Sequence, residues 1–138
     1  MGCLMDTNIV SELRRRNRAN AGVMAWFEAE DENGMFLSVM NLGEIRKGIE
    51  RLRHRDPSQT RTLESWLESL ERRYAGRILD ITASIADHWG YLQAIRPLPE
   101  IDTLLAATAL EYDLTLVTRN EHDFAGLGIT VLNPFEAT

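Results

Sequence analysis

Short apolar runs recur along this chain, separated by longer stretches with a helical period. The runs are Leu4-Met5, Met35-Phe36-Leu37, Ile78-Leu79, Thr115-Leu116-Val117 and Ile129 to Leu132. Strands alternating with helices in this way predict a three-layer α/β/α sandwich around a mostly parallel, roughly five-stranded sheet. In such a sheet ligands and metals are handled at the carboxyl edge of the strands. The residues that close each run therefore carry most of the functional information.

The helical stretches read clearly. A short helix runs from Ile9 to Arg14, its basic end favourable at the negative end of the helix dipole. Asn20 caps a helix carrying Val23, Met24, Trp26 and Phe27, the acids Glu28 to Glu32 make a solvated end, and Asn33-Gly34 marks a turn. A helix from about Asn41 to Leu52 has the stripe Leu42, Ile45, Ile49, Leu52, with Glu44 off to one side. Gly43 and Gly48 each cost that helix about 1 kcal/mol relative to Ala. Close backbone approach beside Glu44, or a glycine on an open face, would account for them.

Asp56-Pro57 starts the next helix, whose Leu63, Trp66, Leu67, Leu70 and Tyr74 read as core or subunit interface, not as a ligand box. Thr82 caps a helix with Ile85, Ala86, Trp89 and Leu92, and Pro97-Leu98-Pro99 forces an extended break. From Ile101 to Tyr112 the pattern is apolar on nearly every side, which predicts a buried, central helix.

At 138 residues the chain is expected to be one domain, 1–138. No apolar run reaches the roughly 18 residues of a membrane helix, and no basic segment leads into an apolar stretch as in a secretory signal. The single cysteine, Cys3, makes no internal disulfide and fits a reducing, cytoplasmic setting. A net charge of −6 argues against a nucleic-acid binder on charge alone. The bases are clustered nonetheless, at Arg14-Arg15-Arg16 with Arg18, around Arg46 to Arg55, and at Arg72, Arg73 and Arg77; these read first as solvated helix faces and ends.

Four acids stand out by position. Asp6 closes the first run, Glu44 lies in the first turns of the helix after the second, Asp102 opens the buried helix, and Asp123 follows the fourth run. Each sits at a strand's carboxyl end or a helix's amino end, so all four are expected on one edge of the sheet. Singly, each has an ordinary explanation: Asp6 and Asp102 as helix caps, Glu44 paired with Lys47 or Arg51, Asp123 capping a turn. Together they would repel one another unless a cation neutralised them. Oxygen-only ligands favour Mg²⁺ or Mn²⁺ over zinc, and His54, His88 and His122 show no zinc spacing.

The chain also resembles PIN-domain ribonucleases, specifically the VapC/FitB-type toxins of bacterial type II toxin–antitoxin systems. The resemblance rests on Leu4-Met5-Asp6-Thr7-Asn8 with Ser11-Glu12-Leu13, on Ser38-Val39 through Leu42-Gly43-Glu44 to Glu50, and on Arg96-Pro97-Leu98-Pro99. It continues through Ile101-Asp102, Ala106-Ala107-Thr108-Ala109, Leu116 to Asn120, Asp123-Phe124 and Leu132-Asn133-Pro134. It implies that Asp6, Glu44, Asp102 and Asp123 form a metal-binding catalytic set for one or two ions, with Glu44 as ligand or base. Thr7, Asn8, Thr118 and Asn120 would orient the acids or the surrounding water. The implied reaction is metal-assisted hydrolysis of RNA phosphodiesters, with the arginine clusters holding the RNA backbone. Implied partners are a cognate antitoxin, a second copy of the chain in a homodimer, and DNA only through the antitoxin, with no role for a membrane.

Two other acid-using folds fit poorly. A haloacid-dehalogenase-type phosphatase needs a second Asp two residues after the first, and that position is Asn8. A receiver domain needs a lysine after a late strand, where only Arg119 stands. The reading from a different class is a catalytically silent binding module, acting as corepressor with a DNA-binding antitoxin. The intact acids weigh against it.

Overall fold

The first strand, β1 (Cys3–Met5), lies at the centre of a five-stranded sheet whose order is β3-β2-β1-β4-β5. The others are β2 (Met35–Ser38), β3 (Ile78–Leu79), β4 (Thr115–Val117) and β5 (Val131–Leu132). The computed structural model describes residues 2–136. Every ladder in the sheet is parallel, a more uniform arrangement than the mostly parallel sheet expected. Helices must therefore carry the chain back between strands. They are α1 (Thr7–Leu13), α2 (Ala21–Ala29), α3 (Val39–Leu52), α4 (Pro57–Arg73), α5 (Ala83–Ile95) and α6 (Glu100–Tyr112).

Alternation along the strands divides the core between the two faces of the sheet. Met5, Leu37 and Val117 join the core under α1 to α4, with Ile9, Val23, Ile45 and Leu67. Leu4 and Leu116 point the other way, into the core beneath α5 and α6, with Ile85, Leu92, Leu105 and Phe124. The architecture is the expected three-layer sandwich. In α6 the expectation needs one correction: residues 103 and 105–109 are buried, but Leu110 and Tyr112 are 37% and 45% exposed. One face of that helix looks outward.

The helix starts are well determined locally. Asp6 caps α1, and Asn20 caps α2 with its side chain accepting from Gly22 and Val23 N–H. Asp56 caps α4 ahead of a proline in the first turn, and Thr82 caps α5. Ser38 and Asn41 form a reciprocal capping box at α3. The two glycines of α3 are there for no close approach: a Cβ at Gly43 or Gly48 would meet nothing within 4 Å. Both sit on the open face, and the helix carries their entropic cost uncompensated.

The chain moves from β1 to β2 and β3 on one side, then crosses to β4 and β5 on the other. The gap between β1 and β4 is thus the topological switch point, where a parallel sheet opens a crevice at its carboxyl edge. Among the described residues, no helix is long and apolar enough to cross a membrane.

Candidate active site

At that crevice the register aligns Met5 with Val117, so the next residues, Asp6 and Thr118, leave the sheet side by side. Asp6 donates its backbone N–H to the Val117 carbonyl at 2.9 Å, which continues the ladder one step beyond the strand. Its carboxylate is almost fully buried and accepts three hydrogen bonds. Oδ1 accepts from the Thr7 N–H at 2.7 Å, while Oδ2 accepts from the Thr118 hydroxyl at 2.7 Å and the Asn8 amide at 3.3 Å. Burial pushes the Asp6 carboxyl above its ordinary range, and these hydrogen bonds pull against that shift.

Glu44 projects towards the same edge from the second turn of α3. It makes no ion pair with Lys47 or Arg51; its Oε1 accepts from the Thr7 hydroxyl at 2.6 Å. Thr7 therefore holds two of the acids, Asp6 through its backbone and Glu44 through its side chain. The Thr7 hydroxyl in turn accepts from Asn41 Nδ2 at 2.9 Å.

Asp102 lies in the first turn of α6 and is half-buried. It is not the helix cap that a reading of the sequence alone allows: Pro99 occupies that position, with no side-chain cap. Its carboxyl is pushed up to about 6, first by burial and then by the charges of Asp6, Glu44 and Asp123. All four acids thus share one electrostatic neighbourhood. Asp123 is exposed, on a 3-10 turn (Glu121–Phe124) that the buried Phe124 ring anchors to the core. His122, beside it, is also exposed and takes no part.

The four flanking polar residues all make hydrogen bonds at this edge. Thr7, Asn8 and Thr118 bond to the acids directly. Asn120 acts through its backbone N–H, which donates to the Thr118 hydroxyl oxygen at 3.1 Å and aims that hydroxyl's proton at Asp6. The Asn8 side-chain oxygen also accepts from Arg119 N–H, pinning the loop after β4.

Three contributors were not anticipated. Asn41 reaches Thr7 from the capping box of α3, and its Ser-x-x-Asn spacing was the available signal. Arg96 donates through Nη2 to the carbonyls of Asp123 and Ala125, at 2.9 and 2.8 Å, and so straps down the turn bearing Asp123. Asn133 donates to the Arg119 carbonyl at 3.2 Å from beyond β5.

The donor set is entirely oxygen, as a hard divalent ion requires. Side chains are not drawn into a closed cage: among the described residues, no three of His, Cys, Asp and Glu stand close enough to grip an ion. Facing carboxylates repel, so an open arrangement is what their own charges favour.

Away from this edge, α1, α2 and α4 enclose a groove of about 870 Å³. Val10, Leu13, Met24, Phe27, Trp66 and Leu70 line it, so the Trp and Leu stripe of α4 faces this groove as well as the core. Arg14 stacks 5.5 Å over Trp66 and Arg73 5.7 Å over Phe27, giving the groove a basic rim.

The PIN domain family model matches residues 3–128. The plasmid stability protein StbB of Pseudomonas syringae pv. tomato is 32% identical, over 97% of this chain and 99% of that protein. VapC ribonuclease Y4jK of Sinorhizobium fredii is 28% identical, over 96% of this chain and 97% of that one. The crystal structure of FitAcB from Neisseria gonorrhoeae superimposes with a TM-score of 0.87 at 28% identity, covering 97% of this chain and 99% of that one. A toxin–antitoxin complex from Klebsiella pneumoniae gives 0.70 at 26%, covering 96% and 98%. This chain belongs to the PIN-domain family, among its VapC/FitB-type toxins.

Proposed function

We propose that this protein is a metal-dependent endoribonuclease, the toxin of a type II toxin–antitoxin pair. What supports this reading is the placement of Asp6, Glu44, Asp102 and Asp123 about one edge of the sheet, where burial and then the charges of the other three raise the Asp102 carboxyl. Four carboxylates facing an anionic phosphodiester would repel it unless a cation stood between them. Asp6, Asp102 and Asp123 would hold one or two Mg²⁺ or Mn²⁺ ions, with Glu44 as a further ligand or as the base that takes the proton of the attacking water. The ion would lower the pKa of that water and offset charge on the phosphoryl oxygens. Thr7, Asn8 and Thr118 keep the carboxylates aimed at the cleft, so little reorganisation is needed at the moment of reaction.

The relative named VapC ribonuclease supports the choice of RNA, and the Klebsiella toxin–antitoxin complex supports a protein antitoxin. The groove between α1, α2 and α4 suits an amphipathic helix from that antitoxin, its apolar face on Trp66 and Leu70 and its acids towards Arg14 and Arg73. DNA would be reached only through the antitoxin, and the toxin would act in the cytoplasm as a homodimer.

The deciding experiment is cleavage of single-stranded RNA by antitoxin-free protein in Mg²⁺ or Mn²⁺, repeated with EDTA. Cleavage should require the ion and fall by at least ~10²-fold in folded Asp6→Asn and Asp102→Asn variants. Undiminished cleavage in both would remove the site assignment. Failure of the wild type to cut, with antitoxin–DNA assembly intact, would favour the silent corepressor instead.

A further inference from the structure

Asn41 is fully buried at the start of α3, and both halves of its amide are committed. Its Oδ1 accepts from the Ser38 N–H at 2.7 Å. A backbone N–H can only donate, so the oxygen must face Ser38 and the NH₂ must face Thr7. That NH₂ donates to the Thr7 hydroxyl oxygen at 2.9 Å. A hydroxyl has one proton, and with its oxygen already receiving a hydrogen bond, Thr7 gives that proton to Glu44 Oε1 at 2.6 Å. The direction of the whole chain, from Ser38 N–H to Glu44, is therefore determined by a single backbone group.

We propose that Asn41 is a positioning residue that acts through Thr7 to hold Glu44 at the metal cleft. The proposal rests on the metal-nuclease reading above and adds to it a residue that touches neither ion nor RNA. The arrangement leaves Oε2 of Glu44 free of protein partners among the described residues, so one carboxylate oxygen is anchored and the other is presented. It also links helix initiation to site assembly, because the bond that closes the capping box of α3 is the one that orients the amide. Groups standing behind metal ligands commonly change metal affinity or activity by 10–100-fold when removed.

The test compares Asn41→Ala with Ser38→Ala, which breaks the other arm of the same capping box without touching Thr7. Mn²⁺ affinity is read by electron paramagnetic resonance of the free ion, and RNA cleavage is resolved into kcat and KM. Asn41→Ala should weaken Mn²⁺ binding and lower kcat by about 10-fold each with KM little changed, while Ser38→Ala leaves both near wild type. Combined with Thr7→Val, Asn41→Ala should add no further loss, because the two lie on one path. Equal effects of Asn41→Ala and Ser38→Ala, or additive losses with Thr7→Val, would overturn the relay alone. A wild-type protein that neither binds Mn²⁺ nor cuts RNA would overturn the functional reading, and the relay's purpose with it.

Discussion

Thr118 gives its hydroxyl proton to Asp6 at 2.7 Å, joining two residues 112 positions apart at the switch point of the sheet. Because Thr118 is fully buried, removing the hydroxyl leaves Asp6 Oδ2 with only the longer Asn8 contact. Thr118→Val keeps the volume and deletes the donor. It should cost about 1.5–3 kcal/mol, the range for a hydrogen bond to a charged group, measurable by urea denaturation in EDTA. Mn²⁺ affinity should fall by roughly 10-fold in the same variant. No loss of affinity would show that Asp6 is held well enough by Thr7 and Asn8.

The Asp102 carboxyl gives a pH signature with a definite sign. Its folded value of about 6 lies above the ordinary 3.8, so between these values the folded protein binds more protons than the unfolded chain. Stability contributed by the neutral form is present below 3.8 and is lost as pH rises through about 6. In EDTA the melting temperature should include a component that declines across that window. Asp102→Asn should remove that component and melt higher than wild type at pH 7. An unchanged profile in the variant would show that neither burial nor the neighbouring carboxylates raise the Asp102 carboxyl in the folded protein.

Arg96 bonds two carbonyls that flank Phe124 through the same nitrogen, Nη2, and a lysine nitrogen, one bond nearer the backbone, would fall short of that position. Arg96→Lys should loosen the 3-10 turn more than the fold as a whole. Hydrogen exchange should quicken by about 5- to 10-fold at amides 123–125, the equivalent of roughly 1 to 1.4 kcal/mol, with global unfolding little affected. Uniform acceleration across α5 and α6 would instead mean that Arg96 supports the helix pair.

Gly48 offers a prediction of the opposite sign. It is exposed, helical and surrounded by open space, so a methyl group clashes with nothing. Gly48→Ala should stabilise the protein by about 0.5–1 kcal/mol and leave cleavage unchanged. A loss of stability would point to a contact with another molecule at that face.

What the sequence made legible is the set of positions defined by local pattern. Asp6, Glu44, Asp102 and Asp123 could be placed on one edge because strand ends and helix starts are written in short runs of residues, and chain topology then brings them together. Asn8 and Thr118 were accessible for the same reason, as neighbours of those ends. Asn41 and Arg96 were not, because their partners lie 34 and 27 residues away and nothing in the local text says which way an amide faces or how far a guanidinium reaches. The groove was hidden for a third reason: Trp66 reads as core by helical period, and only the separation of α2 from α4 leaves part of it uncovered. The open face around Gly43 and Gly48 is likewise a fact of packing.

The central place of β1 has a consequence for synthesis. Residues 3–8 are translated well before residues 115–118, yet Asp6 gains its ladder partner and Thr118 only when the later segment has emerged. Pairing so distant in sequence closes late. A chain cut short before β4 would carry Asp6 and Glu44 with no completed edge to hold them. The topology thus withholds the finished edge until β4 has paired with β1.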